Sequence, residues 1–189
     1  TPLRSSAASD VYKRQLLISL ISLILVGGWT RLTDSGLSIV EWKPLTGMIP
    51  PFSSEGWIVE FEKYKSIPEF KLVNFAITMD EFKFIYWWEW GHRQLARFIG
   101  LVWFLGFLIL WITKQFPERW KFYFFGIGLL GALQAFLGWW MVSSGLDGQV
   151  VDVFSYRLAI HLTMAFIILA LIFWAILFHS ENSAKIFES

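Results

Sequence analysis

The sequence predicts an all-α polytopic membrane protein, a bundle of four transmembrane helices. Three observations carry that reading. Of 189 residues, 56% are hydrophobic and 12 are tryptophan, with a mean hydropathy of +0.53, whereas soluble domains lie nearer about 45–50% apolar. Long apolar runs recur along the chain, as membrane spans do. Trp and Tyr gather near several run ends, where interfacial anchors belong. The net charge of +1 argues against a nucleic-acid surface. The chain has no cysteine, which excludes disulfides, thiolate metal sites, attached c-type haem and cysteine nucleophiles.

The chain begins with TPLRSSAASDVYKRQ, residues 1–15. This segment is polar, patternless and similar to a translated adapter, so it is set apart from the fold as a non-native lead-in. Leu16 to Trp29 is the first apolar run, short against the roughly 20 residues a span needs. An external loop over 30–81 follows, rich in Pro, Gly, Asp and Glu. Within it, SSEGWIVEFEKYKSI offers Ser54 as a helix cap, with Trp57, Phe61 and Tyr64 at helical spacing. Two readings fit: a helix lying on the membrane surface, or a loop that buries one stripe in the protein itself. Residues 82–111 form the second span, Phe122 to Val142 the third and Phe154 to Phe178 the fourth. Residues 16–178 are thus the transmembrane part, and 179–189 a tail.

The short loops set the orientation. Residues 113–121 carry Lys114, Arg119 and Lys121 against Glu118, while 143–153 carry Asp147 and Asp152 with no Lys or Arg. The positive-inside rule makes the first loop and the tail cytoplasmic, and the second loop and the long loop external.

The second span poses the chemical question. FKFIYWWEWGHRQLARFIG holds Glu89, His92, Arg93 and Arg97, and each intramembrane charge costs about 3 kcal/mol at the bilayer centre. His92 and His161 lie at depths of roughly 15 and 10 Å from the outer ends of their spans, which is one level. Two imidazoles at one level on separate helices suit haem iron with two axial histidines. Glu89, His92, Ala96, Gly100 and Trp103 share a helix face on which the small residues leave a slot. Arg157, His161 and Ala165 make a second such stripe. Arg93, Arg97 and Arg157 suit haem propionates, because guanidinium matches carboxylate in bidentate geometry.

Plainer readings stand beside this one. A lone membrane histidine is often a hydrogen-bonded packing residue, and the arginines can snorkel or bridge helices. Zinc wants three or four ligands. A di-iron site uses the spacing of Glu89 and His92 but needs more inward glutamates. Gly131, Gln134, Gly138 and Met141 share a face that reads as close helix packing, with a haem contact from Gln134 as the alternative. His179 reads as an exposed interfacial histidine.

Several long stretches closely resemble the haem A synthase family: VGGWTRLTDSGLSIVEWKPLTGMIPP (26–51), EFKFIYWWEWGHRQLARFIG (81–100), ALQAFLGWWMVSSGL (132–146) and YRLAIHLTMA (156–165). The resemblance runs from about residue 20 to 178. The lack of cysteine resembles the proteobacterial and mitochondrial branch. The family's fold is eight transmembrane helices in two similar halves, each with a histidine pair, so the chain is similar to the N-terminal half, a fragment of the whole. The resemblance implies an oxidoreductase that turns a methyl group of haem O into the formyl group of haem A for terminal oxidases. Two oxygen insertions followed by loss of water are implied. His92 and His161 then match the pair associated with the substrate haem, as axial iron ligands. Glu89 matches the glutamate one turn before, expected to be catalytic, and Arg93, Arg97 and Arg157 match conserved arginines near that pair. The family's haem b cofactor belongs to the other half, which has no counterpart here, and full activity is expected to need both. Expected partners are haem O, membrane lipid, haem O synthase, terminal-oxidase assembly factors and a second copy of the chain. The expected location is the bacterial or mitochondrial inner membrane. Two alternatives remain open at this point: a b-type membrane cytochrome that carries electrons, and a non-catalytic haem-handling assembly subunit.

Overall fold

A computed structural model of the chain describes residues 2–44, 46–116, 118–146 and 150–187; side chains are described from Ala7 to Phe178, apart from 45, 117–119 and 147–149. All regular structure among these residues is helical. In chain order it comprises α1 (Pro2–Leu32), a 3-10 turn (Thr46–Met48), α2 (Ser54–Lys65), α3 (Pro68–Leu72), α4 (Met79–Ile112), α5 (Glu118–Leu146) and α6 (Ser155–Phe187). Four segments are long and apolar enough to span a membrane: Ala7–Leu32, Met79–Ile112, Trp120–Leu146 and Ser155–Phe178. The chain is a polytopic all-α membrane protein.

The first span differs from expectation. It extends beyond Leu16 to Trp29 in both directions, and α1 runs back through the segment set apart as a lead-in. The cause is a buried stripe that composition conceals. Tyr12, Leu16 and Leu20 recur every four residues and are buried, and so are the polar Ser9 and Lys13 on the same side. Lys13 meets Asp10 at 2.8 Å, one turn away. At the other end α6 continues through the predicted tail to Phe187. The reading of His179 lies outside the described side chains.

The helices contribute to two units. The first joins Thr1–Ser22, Arg97–Gln134 and Thr163–Ser189. Its packing is aromatic. The Tyr12 hydroxyl donates to the Trp103 carbonyl at 2.9 Å, and the Trp103 indole N–H donates to the Phe124 carbonyl at 3.0 Å. Trp103 stacks on Phe107 and lies against Gly128, where a Cβ would not fit. Tyr123 donates to the Leu171 carbonyl at 2.7 Å. Each of these rings brings apolar area and a polar group that hydrocarbon cannot satisfy, so each finds a protein acceptor.

The second unit joins Leu23–Ala96 and Ala135–Leu162. Here the long loop folds into a cap. The α2 helix begins at Ser54, but its capping residue is Ser53, whose hydroxyl accepts from the Gly56 amide at 3.1 Å. Phe61 and Tyr64 of α2 are buried with Leu37, Ile39 and Ile67 against Phe82, Ile85 and Tyr86 of α4, and Trp57 packs on the same cluster. Phe61 stacks on Phe82 with centroids 4.8 Å apart. The α2 stripe therefore faces the protein's own core, the second of the two readings. The 34 residues of α4 rise about 51 Å, well over the roughly 30 Å of a hydrocarbon layer. Its first turns serve the cap.

Candidate functional site

The site is built on α4 between Ile85 and Arg93. Glu89 projects from this stretch and is only 3% exposed. Its Oε2 accepts from the Ser38 hydroxyl and from the Ile39 amide, each at 2.7 Å. Its Oε1 accepts from Arg93 Nη2 at 2.6 Å, one helical turn on. Arg93 also donates through Nη2 to the Ile39 carbonyl at 2.9 Å and through Nη1 to the Glu41 carbonyl at 3.1 Å. Ser38 approaches the Ile85 carbonyl at 3.3 Å. Residues 38–41 are thus fastened to α4 by a carboxylate and a guanidinium that complete each other. A buried ion pair holds only when further hydrogen bonds support both partners, and Ser38, Ile39 and Glu41 supply them here.

His92 stands between those two residues, three after Glu89 and beside Arg93. Its ring lies over Gly27 of α1: a Cβ built on that glycine would sit 3.0 Å from Nε2, 3.4 Å from Cδ2 and 4.0 Å from Cε1. His161 of α6 repeats the arrangement over Gly138 of α5, with Cε1 at 3.0 Å, Nδ1 at 3.5 Å and Nε2 at 3.7 Å from the corresponding point. The two imidazoles belong to one unit and lie within electrostatic range of each other.

Arg157 begins the turn that leads to His161. Its Nη1 donates to the Trp140 carbonyl at 2.6 Å and approaches the Ser143 hydroxyl at 3.4 Å, while Nε donates to the Tyr156 hydroxyl at 3.1 Å. The guanidinium rests on the Trp140 ring, 4.5 Å from its centroid. It ties the start of α6 to the end of α5. Arg97, half-buried, falls in the other unit, as do Gly100, Trp103, Gln134 and Ala165. Trp103 is engaged with α5, although the Cα of Gly100 does face open space.

Glu89, His92, Arg93, Arg157 and His161 are thus brought together in one unit. The contributions of Ser38, the Ile39 amide and Gly27 were not anticipated. Their only signal was the stretch VGGWTRLTDSGLSIVEW, which holds all three. Among the described residues, no group of three or more His, Cys, Asp or Glu is placed to hold a bare metal ion. A flat macrocycle needs less. Two nitrogen ligands suffice, and both histidines present nitrogen-bearing edges towards backbone that has no side chain. The donor set, two imidazoles within one unit, is the chemistry that haem iron takes, so the residues present fit a haem.

Fold and site together define a class: a polytopic membrane helix protein with an intramembrane histidine pair under a folded loop. The chain belongs to the COX15-CtaA family of cytochrome oxidase assembly proteins, which it matches over residues 14–188. It is similar to proteins named heme A synthase. Identity is 56% over 170 residues with that of Dinoroseobacter shibae, covering 90% of this chain and 44% of the relative. With that of Maricaulis maris it is 51% over 176 residues, 92% of this chain and 51% of the relative. With that of Paracoccus denitrificans it is 49% over 174 residues, 92% of this chain and 46% of the relative. The chain spans about half the length of the curated relatives it matches. No solved structure matches it.

Proposed function

We propose that this chain is the substrate-haem half of a haem A synthase, receiving haem O between α4 and α6 while its methyl group is oxidised to a formyl group. The observation that carries this reading is the histidine pair, His92 and His161, each set over a glycine and within electrostatic range of the other. Similarity to proteins named heme A synthase supports the substrate. Haem O, when bound, supplies the iron porphyrin and the methyl to be oxidised; the chain supplies position and charge.

His92 and His161 would hold the macrocycle as neutral nitrogen ligands. Glu89 contributes a fixed negative charge one turn from His92, suited to stabilising positive charge that develops nearby. Its oxygens are already held by Ser38, Ile39 and Arg93. Arg157, in the same unit as both histidines, is the cation assigned to the haem propionates. Arg93 is assigned to the cap, because both its Nη atoms donate there. A resident haem b belongs to the family's other half, and this chain, with 3 histidines in all, offers no second intramembrane pair. We place the chain in an inner membrane with the cap on the outer side, by the charge of its short loops.

The test begins with the chain in detergent, loaded with haem. A low-spin, six-coordinate spectrum is expected, lost in His92→Ala and in His161→Ala. Haem binding unaltered in both variants overturns the ligand assignment. For the reaction, residues 14–188 are exchanged for the matching part of the Paracoccus denitrificans relative, and extracted haems are followed. Conversion of haem O to haem A supports the enzyme. Haem b alone, with no conversion, points to an electron carrier.

A further inference from the structure

Glycines in membrane helices usually let two backbones approach each other. Gly27 and Gly138 do something else. At each of them, the three nearest atoms to a would-be Cβ all belong to a single imidazole, and no backbone atom is among them. At Gly27 the closest is Nε2 of His92, and at Gly138 it is Cε1 of His161, the carbon between the two ring nitrogens. Both rings turn the edge that bears nitrogen to the glycine. The arrangement occurs twice in the second unit, with a histidine of α4 on α1 and a histidine of α6 on α5. Other glycines on the same helices behave differently. Gly28, the neighbour of Gly27, and Gly126 and Gly131 on α5 have nothing within 4 Å of the Cβ position. Glycine lowers helix propensity relative to alanine, so a glycine that faces open space is dispensable to the helix, and one that faces a ring edge is not.

We propose that Gly27 and Gly138 are positioning residues: lacking a side chain, each lets the ring of His92 or His161 lie close against its helix and thereby sets the angle at which that imidazole is held for the haem. The inference rests on the reading of the two histidines as haem ligands and extends it to residues that never touch the iron. A methyl group at either glycine would meet its ring at 3.0 Å, closer than nearly all real Cβ contacts, so the ring must shift by a few tenths of an ångström. The helix itself tolerates alanine, so the cost of the methyl group falls on the imidazole.

The experiment compares the haem-loaded chain with Gly27→Ala and Gly138→Ala, using Gly28→Ala and Gly131→Ala as controls on the same helices. Haem uptake is measured by titration, and ligand geometry by the low-spin electron paramagnetic resonance signal. Roughly tenfold weaker uptake and displaced g values are expected at Gly27 and Gly138, from the cost of overpacking. The controls are expected to keep uptake and signal while melting no earlier. The two seats lie in different helix pairs, so a variant that fails to fold leaves the other to decide. Where both fold but neither takes up haem, the nuclear magnetic resonance shift of His92 is read in the haem-free Gly27→Ala chain, and an unmoved ring refutes the proposal; if neither folds, the glycines serve the fold and the proposal is overturned. A spectrum that depends on both histidines but is unchanged by both glycine variants overturns the seats alone. A spectrum indifferent to His92→Ala and His161→Ala overturns the ligand reading instead.

Discussion

Glu89 and Arg93 each have more than one bond to make, and they make them to the same short segment, residues 38–41. Removing one member of such a pair strands the other in a dry site. Glu89→Ala is therefore expected to lower the stability of the chain by about 3–5 kcal/mol. Replacing both residues with leucine is expected to cost much less than the sum of the single changes. Thermal unfolding in detergent provides the double-mutant cycle, and simple additivity would show that the two act independently. The sequence made these residues conspicuous, since charges inside an apolar run demand partners. It did not identify the partners. Ser38 and Ile39 lie some fifty residues earlier in a loop, and helical spacing carries no information across that distance. Loop carbonyls of Ile39 and Glu41 are among the acceptors of Arg93, and nothing in the residues next to it announces them.

The elements themselves were largely legible. Apolar runs long enough to cross a bilayer stand out in any sequence, and four of the helices follow from them. What failed to show was the continuation of a helix through polar residues. The stripe through Ser9, Tyr12, Lys13, Leu16 and Leu20 is half polar and so leaves no hydropathy signal. The α2 helix was visible by its aromatic spacing, but its direction of burial was not, because periodicity alone does not say whether a stripe meets lipid or protein. Its cap was misplaced by one residue because two serines stand side by side. That distinction is measurable. Ser53→Ala is expected to destabilise the cap by about 1 kcal/mol, whereas Ser54→Ala is expected to be nearly neutral, with hydrogen exchange of the α2 amides as the readout. Equal effects would reject the assignment.

At the scale of the molecule, the cap carries its own response to pH. Glu69 of α3 is 7% exposed, and its Oε2 has no hydrogen-bond partner among the described residues. Burial pushes this carboxyl up from 4.5 to about 7; the Tyr64 hydroxyl opposes the shift, while Glu89, Asp34 and Asp152 add to it. The folded cap therefore prefers the protonated acid. Its contribution is complete below pH 4.5 and is lost as pH rises towards about 7, a change on the order of 3 kcal/mol. Glu69→Gln, which cannot ionise, is expected to remove this slope from cap stability measured by hydrogen exchange between those limits. An unchanged slope would mean that another group is responsible. The attachment of the loop to α4 bears in turn on the proposed haem ligand. Because Glu89 and Arg93 stand on either side of His92 and both bond to the segment 38–41, a tag inserted into that segment, or a protease cut within it, is expected to turn the imidazole from a distance. A spectrometer tuned to the porphyrin would then serve as a strain gauge for the extramembrane surface.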